Sequence, residues 1–375
     1  MKMHCLSFRG ISKLFVLSCS IVYGHHFVYA QEQVQNAKEN SDYTVEKQSH
    51  GQQIVAGNDI PDKLSGNQLT DLKFNSLAKI PASLISLGGK AANYALIVEK
   101  MLHKLTVYKS TFRGDYEVVK IYQAITGKKQ GDKKYVGDKR TPEGVYFITG
   151  KITGGKLPPK YGPGALTLDY PNIFDQRLSK TGYGIWIHGV EDDTRVLKPF
   201  DTDGCVALRN QDWIDLEKYI TLFETPVIIT KEMSFLNSSE SLVETKNQII
   251  NILDAWKKAW ESSDLNAYLA FYSDSFHTLG KNKKQWQNYK TSISYNRKGK
   301  INIEISDPKI VAFEDQLFVS FLQRYQAPDK VDFGRKFLYF KKENNQFKII
   351  SEKWYEETQN PDLLSALIRS NNELK

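Results

Sequence analysis

Two side chains suited to nucleophilic chemistry stand 17 positions apart, His188 and Cys205, each beside a glycine, Gly189 and Gly204. The apolar run Ile185-Trp186-Ile187 leads into the histidine, and Val206-Ala207-Leu208 leads away from the cysteine. Two strands closing the ends of one loop would set imidazole beside thiol. A base next to a thiol yields a thiolate, and a thiolate attacks carbonyl carbon. The backbone N–H groups of Gly204 and Cys205 are the natural donors to the resulting oxyanion, and glycine lets the backbone come close. A third group must orient the imidazole, and Asp192, Asp193, Asp201 and Asp203 all lie in the loop. Arg209 offers either a fork for a substrate carboxylate or a surface salt bridge. Trp186, Asp203 and Tyr161 are further candidate substrate contacts, although an aromatic such as Tyr161 can equally plug a sheet edge.

Cysteine usage points the same way. The chain has three cysteines, and Cys5 and Cys19 fall in a segment with the marks of a secretory signal. Lys2, Arg9 and Lys13 make a basic start, residues 14–23 are an apolar core too short to span a bilayer, and Val28-Tyr29-Ala30 offers a cleavage site. A lipoprotein signal at Cys19 is the alternative, with Leu17 a poor fit. Cleavage after Ala30 leaves Cys205 as the one remaining thiol, either inert and buried or chemically employed. The four histidines beyond the signal, His50, His103, His188 and His277, are scattered, so neither a metal nor another cofactor is expected. The formal charge of +8 falls to about +5 without the signal's three basic residues, and the lysines are spread rather than striped. Nucleic-acid binding is therefore not expected, whereas a carboxylate-rich partner suits mild basicity.

The elements that must position the pair follow from periodicity. Residues 31 to about 70 are polar and read as flexible. In 69–87 apolar residues return at helix-like spacing, Leu72, Leu77, Ile80, Leu84, Ile85 and Leu87, with Pro81 as a helix start and Gly88-Gly89 as its stop. This predicts a short helical N-terminal region that either caps its own domain or meets a second subunit. From Tyr94 the period changes to two: a hairpin over 94–99 and 104–108, a strand over 116–125, and another over 145–148. The intervening GKKQGDKKYVGDKR, with six basic residues, reads as a solvated loop, and 154–175 as loop-rich. Asn210 is placed to cap a helix, and 225–229 returns as a strand that closes the domain near Thr230. After a polar linker at 231–240 comes an amphipathic helix over 242–260 with Ile249, Ile250, Leu253, Trp256 and Trp260 on one stripe. Two shorter helices and a meander of strands complete an α+β pattern. His277 stands alone and reads as a surface or packing histidine.

His-Gly, this gap and Ser/Thr-x-Gly-Cys resemble the L,D-transpeptidase catalytic domain of YkuD type, as does the order strand, TG, lysine-rich loop, TPEG, strand before it. The usual family form has His before Gly-Cys and Arg two positions after Cys; here Asp203 and Ala207 stand there. T-D-G-C-V-A-L and YGPGALTLDYPN resemble a subgroup that includes peptidoglycan L,D-carboxypeptidases. WKKAWESSDLNAYLAFYSDSF resembles the NTF2-like family, a curved sheet around a pocket. The fold class implied is a mostly β catalytic domain, a YkuD-type sheet sandwich, plus an α+β NTF2-like domain, with a short helical N-terminal region. The domains expected are a signal peptide at 1–30, an N-terminal region at 31–90, a catalytic domain at 91–230, a linker at 231–240, an NTF2-like domain at 241–360 and a tail at 361–375.

The resemblance also implies chemistry: Cys205 as nucleophile, His188 as base, and the Gly189 carbonyl as the group orienting the ring. The implied substrates are peptidoglycan stem peptides in the periplasm, cut before terminal D-Ala by an L,D-carboxypeptidase that influences cell shape, as in helical bacteria. An L,D-transpeptidase that cross-links or attaches protein, and an inactive wall-binding protein, are the alternatives. A homodimer through the N-terminal helical region and an unidentified ligand for the NTF2-like pocket complete the expected partners.

Overall fold

The computed structural model describes residues 80–89, 93–111, 114–296 and 299–357. The expected signal peptide, the flexible stretch from 31 to about 70, the first part of the expected helix up to residue 79 and the tail at 361–375 lie outside the described residues. Two short strands, β1 (Ile80–Pro81) and β2 (Leu84–Leu87), precede the hairpin of β3 (Tyr94–Glu99) and β4 (Lys104–Ser110). Then come β5 (Tyr116–Gln123), β6 (Thr126–Gly127), β7 (Gly144–Thr153), β8 (Gly164–Leu168) and helix α1 (Ile173–Arg177). β9 (Trp186–His188), β10 (Phe200–Thr202) and β11 (Val206–Ala207) bracket the expected reactive pair. Helix α2 (Asn210–Leu216) and β12 (Pro226–Thr230) close the unit. Its main sheet has eight strands in the order β11-β9-β8-β7-β12-β3-β4-β5.

The alternation along the central strands explains how this sheet is held. Leu96 and Val98 of β3, with Tyr146 and Ile148 of β7, pack on one face together with Trp213 and Leu216 of α2. Ala95, Ile97, Val145 and Phe147 point the other way, into a second cluster. Side chains alternate between faces along a strand, so burial on both sides turns each strand into an unbroken apolar run.

The second face is covered by the C-terminal domain. After β13 (Phe235–Leu236) this contains α3 (Glu240–Glu261), α4 (Leu265–Leu269), β14 (His277–Thr278), β15 (Lys281–Asn282) and α5 (Lys283–Asn296). The meander follows as β16 (Asn302–Ile305), β17 (Lys309–Phe313), β18 (Gln316–Ala327), β19 (Lys330–Glu343) and β20 (Gln346–Glu356). Ile249, Leu253, Trp256 and Ala259 are the buried stripe of α3, and the Asp264 carboxylate caps α4 by accepting the Ala267 N–H at 2.9 Å. Val311, Phe318, Phe337 and Tyr339 of the meander meet the catalytic sheet, with the Phe147 and Phe337 rings 4.9 Å apart. Glu224 of the catalytic domain adds ion pairs to Lys309 at 3.1 Å and Arg335 at 3.3 Å.

Four expectations are corrected. The stretch expected to end the N-terminal helix is strand: β2 joins the C-terminal sheet beside β17, with Leu87 opposite Lys309 and Ser86 opposite Ile310. Leu84, Ile85 and Leu87 suit a helix turn or a buried strand equally, and the open edge of β17 decides. Pro81, expected to start that helix, sits in β1, and β1 pairs with β13, which gives the expected linker its own strand. The stretch 154–175 is more ordered than its Gly and Pro content implies, because it holds β8 and α1. The lysine-rich loop is only partly solvated, since Lys133 and Asp138 form a buried ion pair at 2.7 Å.

Candidate active site

β9 and β11 are parallel neighbours, with Ile187 opposite Val206 and His188 opposite Ala207. The Leu208 N–H donates to the His188 carbonyl at 2.9 Å, so histidine and cysteine end up at one edge of the sheet. His188 is buried, and its Nδ1 bonds the Gly189 carbonyl. A carbonyl only accepts, so Nδ1 carries the proton and Nε2 keeps its lone pair. Gly189 is thus the orienting group. The four loop aspartates are occupied otherwise: Asp192 accepts the Thr194 N–H, Asp193 the Asn210 N–H, Asp201 holds Arg195, and Asp203 pairs with Lys128 at 3.4 Å. Asn210 is not the expected helix cap, because its side chain accepts the Val190 N–H at 2.8 Å. Gly189 has to be glycine here: an added Cβ would lie 2.6 Å from Pro163 Cδ.

The Cys205 thiol is partly exposed and donates to the Gly184 carbonyl at 3.3 Å. Its desolvated setting pushes it up to about 11, with Asp203 adding to the effect and the Trp186 backbone N–H, Lys160 and Lys133 opposing it. Burial likewise pushes His188 down to about 4, against the Gly189 bond and helped by Arg195 and Lys160. The resting pair is therefore neutral thiol and neutral imidazole.

The expected substrate contacts separate. Tyr161 stands edge-on to His188, ring centroids 4.9 Å apart, and tilts onto Trp186 at 5.1 Å. Burial raises its hydroxyl pKa, and the Asp203 charge, with that of Cys205 once ionised, raises it further. Trp186 is buried and forms the wall behind Tyr161 rather than an open surface. Asp203 is exposed at the rim. Arg209 is also exposed, but its guanidinium donates to Gln123 Oε1 at 3.3 Å and its charge acts on Asp212, so it turns away from the thiol.

A family profile for the L,D-transpeptidase catalytic domain (YkuD) matches residues 93–229, and one for the Cds6 C-terminal NTF2-like domain matches residues 248–353. Among solved structures, Bd1075 of Bdellovibrio bacteriovorus is 34% identical with a TM-score of 0.63, over 75% of this chain and 100% of that one. The chain belongs to the YkuD L,D-transpeptidase family, with an NTF2-like C-terminal domain. The helical cell shape determining protein Pgp2 of Campylobacter jejuni is 29% identical with a TM-score of 0.57, over 76% of this chain and 98% of that one. No curated protein sequence matches.

Within this YkuD domain two hydroxyls that the sequence did not single out fix the cysteine. Thr202 Oγ1 donates to the Cys205 carbonyl at 2.7 Å and accepts the Gly204 N–H at 3.1 Å. Thr141 Oγ1 reaches the same carbonyl at 3.4 Å and accepts the Gly127 N–H at 2.9 Å. The expected oxyanion pair is therefore split: the Gly204 N–H is committed to Thr202, while the Cys205 N–H has no acceptor among the described residues. Gly204 has φ +130°, and a Cβ there would lie 2.8 Å from the Arg140 carbonyl, so the turn needs glycine. Lys160, one residue before Tyr161, also went unnoticed, although its charge acts on both His188 and Cys205. Both threonines lie in recognisable motifs, T-D-G-C and T-P-E-G, whereas Lys160 carried no sequence signal beyond its place beside Tyr161.

Proposed function

We propose that this YkuD-family enzyme is a periplasmic, cysteine-dependent L,D-carboxypeptidase that removes terminal D-Ala from peptidoglycan stem tetrapeptides. One observation carries the reading: the Gly189 carbonyl holds the His188 Nδ1 proton, leaving Nε2 as the base on the strand next to Cys205. The similarity to a helical cell shape determining protein supports a role in cell shape. The TDGCVAL form, with alanine where the usual family arginine stands, favours hydrolysis over transpeptidation.

In the proposed reaction, substrate binding displaces the thiol from Gly184, and its proton passes to His188 Nε2. The thiolate attacks the carbonyl carbon of the amide before D-Ala, forming the C–S bond of a tetrahedral adduct whose oxyanion meets the Cys205 N–H. The C–N bond breaks as His188 gives its proton to the leaving amine. Water then gives a proton to the same nitrogen and attacks the thioester. Collapse of that adduct breaks the C–S bond, and the thiolate recovers its proton. The test is a digest of disaccharide-tetrapeptide by the purified protein beside Cys205→Ala, with products weighed. Loss of one alanine only with the intact thiol supports the proposal. Dimers joined between two diaminopimelates make the protein a transpeptidase instead.

The neutral resting thiol gives the inactive wall-binding alternative an observation of its own, because an unactivated thiol reacts slowly. No product in either digest would favour that reading.

A further inference from the structure

Three cations act on the thiol or the imidazole, Arg195, Lys133 and Lys160, and the first two are committed. Arg195 holds Asp201 through Nε at 2.9 Å and reaches the Asp201 carbonyl at 2.7 Å. Lys133 is buried against Asp138, and Lys128 pairs with Asp203. Lys160 differs. Among the described residues no carboxylate lies within ion-pair distance of it, and its ammonium rests over the Tyr161 ring at 5.3 Å from the centroid. The side chain is half-buried, and a ring face offers no lone pair comparable to a carboxylate oxygen, so the ammonium stays open to an anionic ligand.

The ammonium is also held in place. Lys160 sits in the 3-10 turn Pro159–Tyr161, preceded by Pro158, and the Tyr161 N–H closes that turn on the Pro158 carbonyl at 3.1 Å. Proline fixes its own φ, so the turn has few alternative shapes. Its other end is docked on the histidine loop: the Tyr161 ring packs on His188, and the Tyr161 carbonyl oxygen lies 3.3 Å from where a Cβ on Gly189 would stand. A residue released from the end of a peptide carries its carboxylate one carbon away from the amide nitrogen that His188 would protonate. A cation that reads that carboxylate must therefore stand on the histidine side of the thiol, where Lys160 is.

We infer that Lys160 binds the free α-carboxylate of the terminal residue and so makes this site an exopeptidase. The inference rests on the proposed carboxypeptidase function. It assigns to Lys160 the role that sequence reasoning gave to Arg209. Asp203, whose charge acts on the thiol, pairs with Lys128 at the exposed rim and forms no ion pair with Lys160, which leaves Lys160 open to an incoming carboxylate.

The test compares two substrates, disaccharide-tetrapeptide and the same molecule with its terminal carboxylate converted to a carboxamide. The unaltered full chain should prefer the acid by about 10- to 100-fold in kcat/KM, the scale of a charge-assisted hydrogen bond. Lys160→Gln should lose that factor on the acid, lose clearly less on the amide, where only its charge on the reacting pair is removed, and so abolish the preference. Lys160→Arg should keep most of it. A loss shared equally by acid and amide would mean that Lys160 only supports the thiol electrostatically, and would overturn the inference while leaving the carboxypeptidase reading intact. No loss on either substrate overturns it too.

Binding to Cys205→Ala by calorimetry, with and without Lys160→Gln, separates the two ideas. If the active chain releases no alanine but Cys205→Ala still prefers acid to amide through Lys160, the inference stands and the proposed reaction falls. If Cys205→Ala binds acid and amide alike, Lys160 reads no carboxylate, whatever the turnover.

Discussion

The molecule holds two buried polar clusters behind aromatic walls, and they treat charge in opposite ways. In the C-terminal domain Glu352 is buried, with Lys336 at 2.8 Å on one carboxylate oxygen and the Tyr272 hydroxyl donating at 2.7 Å to the other. Trp256 Nε1 in turn donates to that hydroxyl at 3.1 Å. Burial drives the Glu352 carboxyl upward, yet Lys336, Lys290 and Tyr272 bring it below the usual range. Around Cys205 and His188 the close partners are backbone groups, the Gly184 and Gly189 carbonyls and the Trp186 N–H, and burial prevails for both side chains. The same chain can hold a buried charge where it supplies a counter-charge and hydrogen bonds. At the thiol it supplies neither in full, so thiol and imidazole rest neutral, and the proposed reaction needs substrate binding to ionise them.

The largest test of the contrast is chemical. Cys205→Ala should lower D-Ala release by on the order of 10⁴-fold or more, the scale seen when a nucleophile is deleted, in a single-turnover assay with disaccharide-tetrapeptide. A residual rate within tenfold of the unaltered protein would place the chemistry elsewhere. Next in size comes the other cluster. Glu352→Gln leaves Lys336 buried without its counter-charge, and breaking a buried pair costs about 3–5 kcal/mol. The denaturation midpoint should fall accordingly, and a fall worth less than about 1 kcal/mol would show the pair to be solvated rather than buried.

The clusters also differ in how far sequence reveals them. His188, Cys205 and Gly189 were legible because they are neighbours in one loop and their residue types name their chemistry. Lys336 and Glu352 lie on neighbouring strands, β19 and β20, where register decides which side chains meet, and nothing in either strand's sequence marks the pair. β2 was misjudged as helix because Leu84, Ile85 and Leu87 fit either period, and the deciding edge lies more than two hundred residues later, in β17. Arg209 was noticed because its guanidinium can fork a carboxylate four positions after Cys205, whereas Lys160 drew no notice at all. The chain turns into α2 directly after Arg209, and the guanidinium goes to Gln123. The strands of the catalytic sheet were legible for a simpler reason: β-rich runs bounded by turn residues mark them, unbroken and apolar in the central β3 and β7, alternating in the exposed edge strand β5.

A titration sharpens the neutral-pair half of the comparison. With the thiol held near 11, alkylation by iodoacetamide should rise about tenfold per pH unit, roughly 100-fold from pH 7 to 9, because the thiolate fraction grows tenfold per unit below its pKa. A preformed thiolate–imidazolium pair would instead react at a nearly constant rate over that range. Stability should follow the same logic. A thiol raised above its ordinary 9.0 favours the fold while protonated, so its contribution is lost as pH climbs from 9 toward 11. A histidine lowered from 6.5 favours the fold while neutral, so its contribution is lost as pH falls from 6.5 toward 4. Melting temperatures across both windows, compared between the unaltered chain, Cys205→Ala and His188→Gln, would show which part of each slope belongs to which group.

The smallest predicted effect discriminates most sharply between positions near the site. Arg209→Ala should change kcat/KM on the free-acid tetrapeptide by less than about 2-fold, the range of an exposed side chain away from any buried network. Its guanidinium reaches Gln123 at 3.3 Å, and its charge acts on Asp212, not on Cys205 or His188. Lys160 has the reverse pattern, acting on both reacting groups and facing no carboxylate among the described residues. The two cations are therefore alternatives for one task, and one substrate measures both. A tenfold loss on Arg209→Ala, confined to the free acid and absent on the amide, would mean that α2 and its leading arginine swing toward the thiol when substrate binds. The carboxylate would then belong to Arg209, and the loop after Cys205 would be a moving part of the site rather than its fixed edge.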